Sequence, residues 1–124
     1  MAIHKSGEDY LEAIFMIRME KGSCRSIDVA HHLGVSKPSV SVAMGLLREG
    51  GMITTDADGM LDFTEAGLAL ATEIYNRHCL LVDFLVSIGV SEPVAREDAC
   101  KMEHDLSHET YECLKQFMDQ REKS

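Results

Sequence analysis

Cys100, Glu103 and His104 stand three and four residues apart, a spacing that places a thiol, a carboxylate and an imidazole on one side of a helix. All three are ligand types for a divalent transition metal. Asp9 and Glu12 form a second i,i+3 pair, on a segment that reads as the first helix, and His78 stands alone inside an apolar helical run. Three helices would bring these six side chains to one point. Taken one at a time, each has a simpler reading: acids in a first turn favour the positive end of the helix dipole, and a lone histidine on an apolar face is a hydrogen-bonded core residue.

The elements that must position them follow from the periodicity. Tyr10, Leu11, Ile14, Phe15 and Ile17 or Arg18 trace a 3.6-residue period over residues 7–20, with Ser6 as N-cap and Gly22-Ser23 as the stop. Ser26 caps a short helix over residues 27–33, with Val29, Ala30 and Leu33 facing inward, and Gly34-Val35 makes a tight turn. Ser36 caps a second helix with Pro38 near its start and a buried stripe of Val40, Ala43, Met44 and Leu47, closed by Gly50-Gly51. This is a helix-turn-helix pattern; an ordinary helical hairpin is the alternative. In the first reading Ser36, Lys37, Pro38, Ser39, Ser41 and Val42 meet the DNA major groove, where short hydroxyls reach phosphates and apolar groups reach thymine methyls.

Residues 52–55 and 60–63 read as two strands around the turn Asp56-Ala57-Asp58-Gly59, which completes a winged-helix arrangement. The acidic wing tip is expected to repel phosphate. A Ca²⁺ loop is the rival reading of Asp-x-Asp-Gly, but the other ligands of such a loop are missing. Thr64 caps a long helix to about residue 88 that carries His78, Ser91 caps a helix running to about residue 106 with the Cys100 cluster, and Ser107 caps a last helix whose end, residues 119–123, is expected to fray. The fold class is mainly α: a winged helix-turn-helix domain over 1–63, then an all-helical dimerisation domain over 64–124.

Composition narrows the function. The 124 residues are 45% hydrophobic and 27% charged, a globular balance, with no apolar run near the roughly 20 residues that span a bilayer. No charged segment leads into an apolar run at the N-terminus, so a cytoplasmic location without membrane contact is expected. Four dispersed cysteines, Cys24, Cys79, Cys100 and Cys113, fit free thiols in a reducing compartment. The net charge of −9 is unevenly spread: residues 1–53 hold six Lys/Arg against six Asp/Glu, residues 54–124 six against fifteen. DNA contact is therefore expected from the first part, and cation or partner binding from the second. A metalloenzyme is disfavoured, because no separate general base, nucleophile pair or substrate pocket signature accompanies the Cys/Glu/His set. His31 and His32 are read as exposed, and His4 and His108 as outside the metal set.

The motifs Gly7-Glu8-Asp9-Tyr10-Leu11-Glu12, Val29-Ala30-His31-His32-Leu33-Gly34-Val35-Ser36, Leu61-Asp62-Phe63-Thr64-Glu65-Ala66-Gly67, Arg77-His78-Cys79-Leu80-Leu81 and Ala99-Cys100-Lys101-Met102-Glu103-His104 occur in this order. Together they resemble the metal-dependent repressors of the diphtheria-toxin-repressor and manganese-transport-regulator family, in its short two-domain form. The resemblance implies a dimer that binds double-stranded operator DNA when Fe(II) or Mn(II) occupies its site, with Co, Ni or Zn able to substitute, and no organic cofactor. Carried over by position, the implied ligands are Asp9, Glu12, His78, Cys100, Glu103 and His104. Asp9 matches the manganese-type members and Cys100 the iron-type members, so the implied site is a hybrid. Val82 and Arg96 stand where iron-type members place ancillary ligands, which argues against a second site of that type. Val42 replaces a glutamine of the iron-type recognition helix, so operator sequence does not carry over. The remaining alternative is a winged-helix regulator that responds to a non-metal ligand or a protein partner.

Overall fold

The computed structural model describes residues 5–123. His4 lies outside them. Six helices and one hairpin follow in the order α1 Lys5–Lys21, α2 Ser26–Leu33, α3 Lys37–Glu49, β1 Ile53–Thr55, β2 Leu61–Phe63, α4 Glu65–Ser87, α5 Glu92–Met102 and α6 His108–Lys123. They form two compact units, the first ending at Glu73 and the second beginning at Ile74, so the division falls inside α4.

The first unit is a winged helix built on the α1 stripe. Leu11, Ile14 and Ile17 are buried with Val29 and Ala30 of α2, Val40, Met44 and Leu47 of α3, and Ile53 and Leu61 of the hairpin. Ile17, not Arg18, continues the stripe. Arg18 instead pairs with the carboxylate of Asp62 on β2 and lies 5.8 Å from the Phe63 ring centre. The helix-turn-helix closes at Gly34, whose left-handed backbone (φ 68°) lets its N–H and that of Val35 both reach the Ala30 carbonyl, at 2.9 and 3.2 Å. Ser36 then caps α3, its hydroxyl accepting from the Ser39 N–H at 3.2 Å. The wing pairs Ile53 with Phe63 and Thr55 with Leu61 in antiparallel register.

Several boundaries differ from the expectations. Ser6 lies inside α1 rather than capping it. The α2 cap is Arg25 rather than Ser26, because the Arg25 N–H donates to the Asp28 carboxylate at 2.9 Å. Helix α5 stops at Met102, four residues early, and α6 runs to Lys123. A third strand-like piece was also missed. Arg25 bridges Met60, and the Leu61 N–H donates to the Cys24 carbonyl at 2.8 Å, so residues 24–25 line the edge of the wing.

In the second unit the buried apolar residues are Ile74, Leu81 and Leu85 of α4, Ala95 and Ala99 of α5, and Tyr111 of α6. Phe84 and Phe117 meet edge to face with ring centres 6.4 Å apart, a favourable aromatic geometry. The Ser107 hydroxyl accepts from the Thr110 N–H at 3.2 Å and caps α6 as expected. No helix among the described residues is long and apolar enough to cross a membrane.

Candidate metal centre and nucleic-acid interface

His78 sits in the middle of α4 and is 7% exposed; Glu103, just past α5, is 2% exposed. Their side chains meet. His78 Nδ1 lies 3.0 Å from Glu103 Oε2, and Cys100 Sγ lies 3.8 Å from the same nitrogen. On the other side of the carboxylate, His104 Nε2 is 3.3 Å from Glu103 Oε1. Four of the six expected ligands, from two segments of the second unit, are thus gathered around one buried carboxylate. Cys100 alone among them is exposed and forms the rim.

The early end of α5 explains how Glu103 and His104 are aimed. The Glu103 N–H still donates to the Ala99 carbonyl at 3.0 Å, so Glu103 keeps its helical relation to Cys100. The next turn tightens, with the Asp105 N–H donating to Met102 at 3.1 Å, and His104 leaves the regular helix. Arg77, the neighbour of His78, holds this turn. Its guanidinium donates to the carbonyls of Glu103 and Leu106, both at 3.4 Å, and packs 5.1 Å from the centre of the Tyr111 ring. Sequence reasoning missed this role because the partners of Arg77 are backbone carbonyls, which carry no residue signature.

The donor chemistry fits a divalent transition metal. Donor atoms bound to one ion at the usual distances of about 2.0–2.3 Å stand about 3–3.7 Å from one another. The His78–Glu103 and Cys100–His78 separations, 3.0 and 3.8 Å, are close to that size, while His104 stands against the other Glu103 oxygen at 3.3 Å. Glu103 Oε1 is buried and has no well-aligned hydrogen-bond donor among the described residues, only His104 Nε2 at 3.3 Å, a setting that favours a bound cation. Asp9 and Glu12 are both on α1, one turn apart, with Glu12 7% exposed.

The six expected DNA contacts also form one surface. Ser36, Lys37, Pro38, Ser39, Ser41 and Val42 are all exposed at the N-terminal half of α3, with Val40 and Met44 buried behind them. This is the end of the helix whose free N–H groups favour anions. His31 and His32 are exposed on α2, as expected. At the wing tip, Asp56 Oδ1 accepts from the N–H groups of Asp58 and Met60, both at 2.9 Å, and Arg25 donates to the Asp58 carbonyl. The Asp-x-Asp-Gly motif is therefore a turn in which Asp56 bonds its own backbone.

Residues 3–60 match the family described as iron dependent repressor, N-terminal DNA binding domain, and residues 64–124 match the metal binding and dimerisation domain of the same repressors. The transcriptional regulator MntR of Escherichia coli O6:H1 is 37% identical over 110 residues, which is 89% of this chain and 71% of that protein. Among solved structures, the metal-dependent transcriptional regulator MtsR is similar with a TM-score of 0.84 and 27% identity, over 91% of this chain and 53% of that one. The manganese regulator SloR is similar with a TM-score of 0.80 and 27% identity, over 96% of this chain and 55% of that one. The chain spans about half the length of these solved relatives. With a winged helix-turn-helix that matches the DNA-binding domain and a helical unit that matches the metal-binding and dimerisation domain, the chain belongs to the iron-dependent repressor family of metal-dependent transcriptional regulators.

Proposed function

We propose that this protein is a cytoplasmic, metal-activated repressor of genes for metal-ion homeostasis, and not an enzyme. It binds operator DNA as a homodimer, with a functional boundary between residues 63 and 64. The observation that carries the metal reading is the gathering of His78, Cys100 and His104 around the buried Glu103 carboxylate. In this reading Asp9 and Glu12 of α1 complete the ligand set, which makes α1 the part of the DNA-binding half that responds.

A bound divalent ion supplies positive charge that offsets the carboxylates and directional bonds that fix its donors. The chain's residues do the rest. Asp9, Glu12 and Glu103 are like charges that resist being brought together. His78, held on the long α4, is the donor beside Glu103. Cys100 supplies a soft donor and the carboxylates hard ones, a mixture compatible with either Fe(II) or Mn(II) and with Co, Ni or Zn as substitutes. Fixing α1 would set the separation of two recognition helices at about 34–36 Å, one turn of B-DNA. Ser36, Lys37, Pro38, Ser39, Ser41 and Val42 then meet the groove. The manganese regulator SloR and the metal-dependent MtsR support a metal effector by their likeness to this chain.

The test is DNA binding to the region upstream of the protein's own gene, first with chelator, then with Mn²⁺, anaerobic Fe²⁺, Co²⁺ or Zn²⁺. Binding is expected only with metal. The Glu103→Gln variant, which keeps a hydrogen-bonding side chain beside His78, should remain helical by circular dichroism and lose the response. Equal binding with and without chelator, or an unaltered response of Glu103→Gln, would refute the proposal.

A further inference from the structure

We propose that Val42 and Leu46 read thymine through its C5-methyl group, so that the operator is recognised by apolar contact where hydrogen-bonding side chains would otherwise read base edges. This inference rests on the DNA-binding reading above and adds what α3 recognises.

Between Lys37 and Arg48 the side of α3 opposite the core carries no side chain that pairs bidentately with a base. Val40, Met44 and Leu47 face inward and are at most 3% exposed, whereas Val42 and Leu46, one turn apart, are 65% and 63% exposed. Helical spacing places Ser39, Val42 and Leu46 in one stripe, and Lys37, Ser41 and Arg48 in another. From Pro38 to Leu47 the only polar side chains are the two serines. Neither Asn nor Gln stands there to pair with adenine, and no Arg or Lys to pair with guanine, the bidentate contacts that usually specify sequence. Ser39 is already engaged, its hydroxyl accepting from that of Ser36 at 2.8 Å. Arg48, further along, donates to Thr55 Oγ1 of β1 at 2.9 Å, which directs it to the wing.

Two large aliphatic side chains left in water at i,i+4 call for an apolar occupant. The charges around them say which one. Lys37 stands in the first turn of α3 and Arg48 in the last, and the N-terminal N–H groups favour anions. An apolar stripe between two cations suits a polyanion with apolar groups on its groove floor. In the DNA major groove the only such group is the methyl of thymine. The stripe is also continuous with the exposed Ser36–Val42 surface already assigned to the groove.

The experiment uses the full chain with Mn²⁺. A duplex is selected from a random library, then resynthesised with each thymine replaced singly by deoxyuridine, which lacks only the methyl and keeps every hydrogen-bonding edge. Loss of affinity of about fourfold per buried methyl is expected at two or more positions in each half-site. At those positions Val42→Ala or Leu46→Ala should weaken binding to the thymine duplex by a similar factor and leave binding to the deoxyuridine duplex almost unchanged. Both side chains are largely exposed, so truncation should not affect folding, and the deoxyuridine series uses the wild-type chain in any case. Equal affinity for thymine and deoxyuridine duplexes would overturn the inference while leaving the repressor reading intact. If no duplex is enriched with Mn²⁺ at all, the DNA-binding reading fails and this inference with it. Loss of self-association, instead of DNA affinity, in Val42→Ala or Leu46→Ala would assign the stripe to a protein contact and also overturn it.

Discussion

Cys24 has no exposed surface, and burial, reinforced by the nearby Asp28 carboxylate, pushes its thiol from an ordinary 9.0 up to about 11. Between those values the unfolded chain releases the proton while the folded one keeps it. The unfolded state then binds fewer protons, so stability is full below pH 9 and falls as pH rises toward 11, by about 2–3 kcal/mol in all. Urea denaturation at pH 8 and pH 10.5 should show this loss, and Cys24→Ala should lose less between the same two pH values; equal losses would refute it. The residue scale also shows what sequence discloses about a site. Cys100, Glu103 and His78 could be selected because metal ligands form a short list of residue types with helical spacing. Arg77 could not, since nothing in its identity announces that it clasps the carbonyls of Glu103 and Leu106. The choice between Ile17 and Arg18 for the α1 stripe was likewise open until Asp62 supplied a partner for the guanidinium, which also lowers the Asp62 carboxyl below its usual range.

At the scale of elements, caps and turns were the legible features. Ser36, Thr64, Ser91 and Ser107 all precede helices where their residue types predict, and Gly34 adopts the left-handed turn conformation. Ser6 and Ser26 do not cap their helices, and the other failures were features set by distant contacts. The edge pairing of residues 24–25 involves one bridge, too short to leave an alternating pattern. At the end of α5, Arg77, twenty-six residues away, donates to the Glu103 carbonyl at 3.4 Å, a contact that no local spacing announces. Gly67 has a reason that only the packing reveals. A Cβ there would lie 1.8 Å from the Met52 carbonyl oxygen, at the corner where Thr64 caps α4 and its hydroxyl donates to the Gly51 carbonyl at 2.6 Å. Gly45, in mid-α3, has nothing within 4 Å of such an atom. Gly67→Ala should therefore cost about 1–3 kcal/mol or more by overpacking, while Gly45→Ala should stabilise by about 0.5–1 kcal/mol through helix propensity. Urea midpoints of the two variants against the parent decide it, and a Gly67→Ala midpoint at or above the parent's would contradict the corner packing.

For the whole molecule, charge sets how the two halves meet a polyanion. Residues 54–124 carry all of the net −9, while residues 1–53 are neutral. Such a protein gains no overall attraction to DNA from its net charge, so phosphate contact must come from a few placed cations. On α3 these are Lys37 and Arg48, and the wing tip offers Asp56 and Asp58 in their place. A dimer that neutralises about four phosphates should show a slope near −4 in log K against log salt. Lys37→Ala removes one cation from each subunit, so the slope should fall by about 2 and affinity should drop uniformly across DNA sequences. That uniform loss separates Lys37 from the Val42–Leu46 stripe, whose loss should depend on thymine. Fluorescence anisotropy of a labelled duplex over a KCl series, with Mn²⁺ held constant, measures both. A slope of −8 or steeper, or one unaltered in Lys37→Ala, would mean that cations outside α3 carry the phosphate contacts and that the neutral DNA-binding half does not dock as its charges suggest.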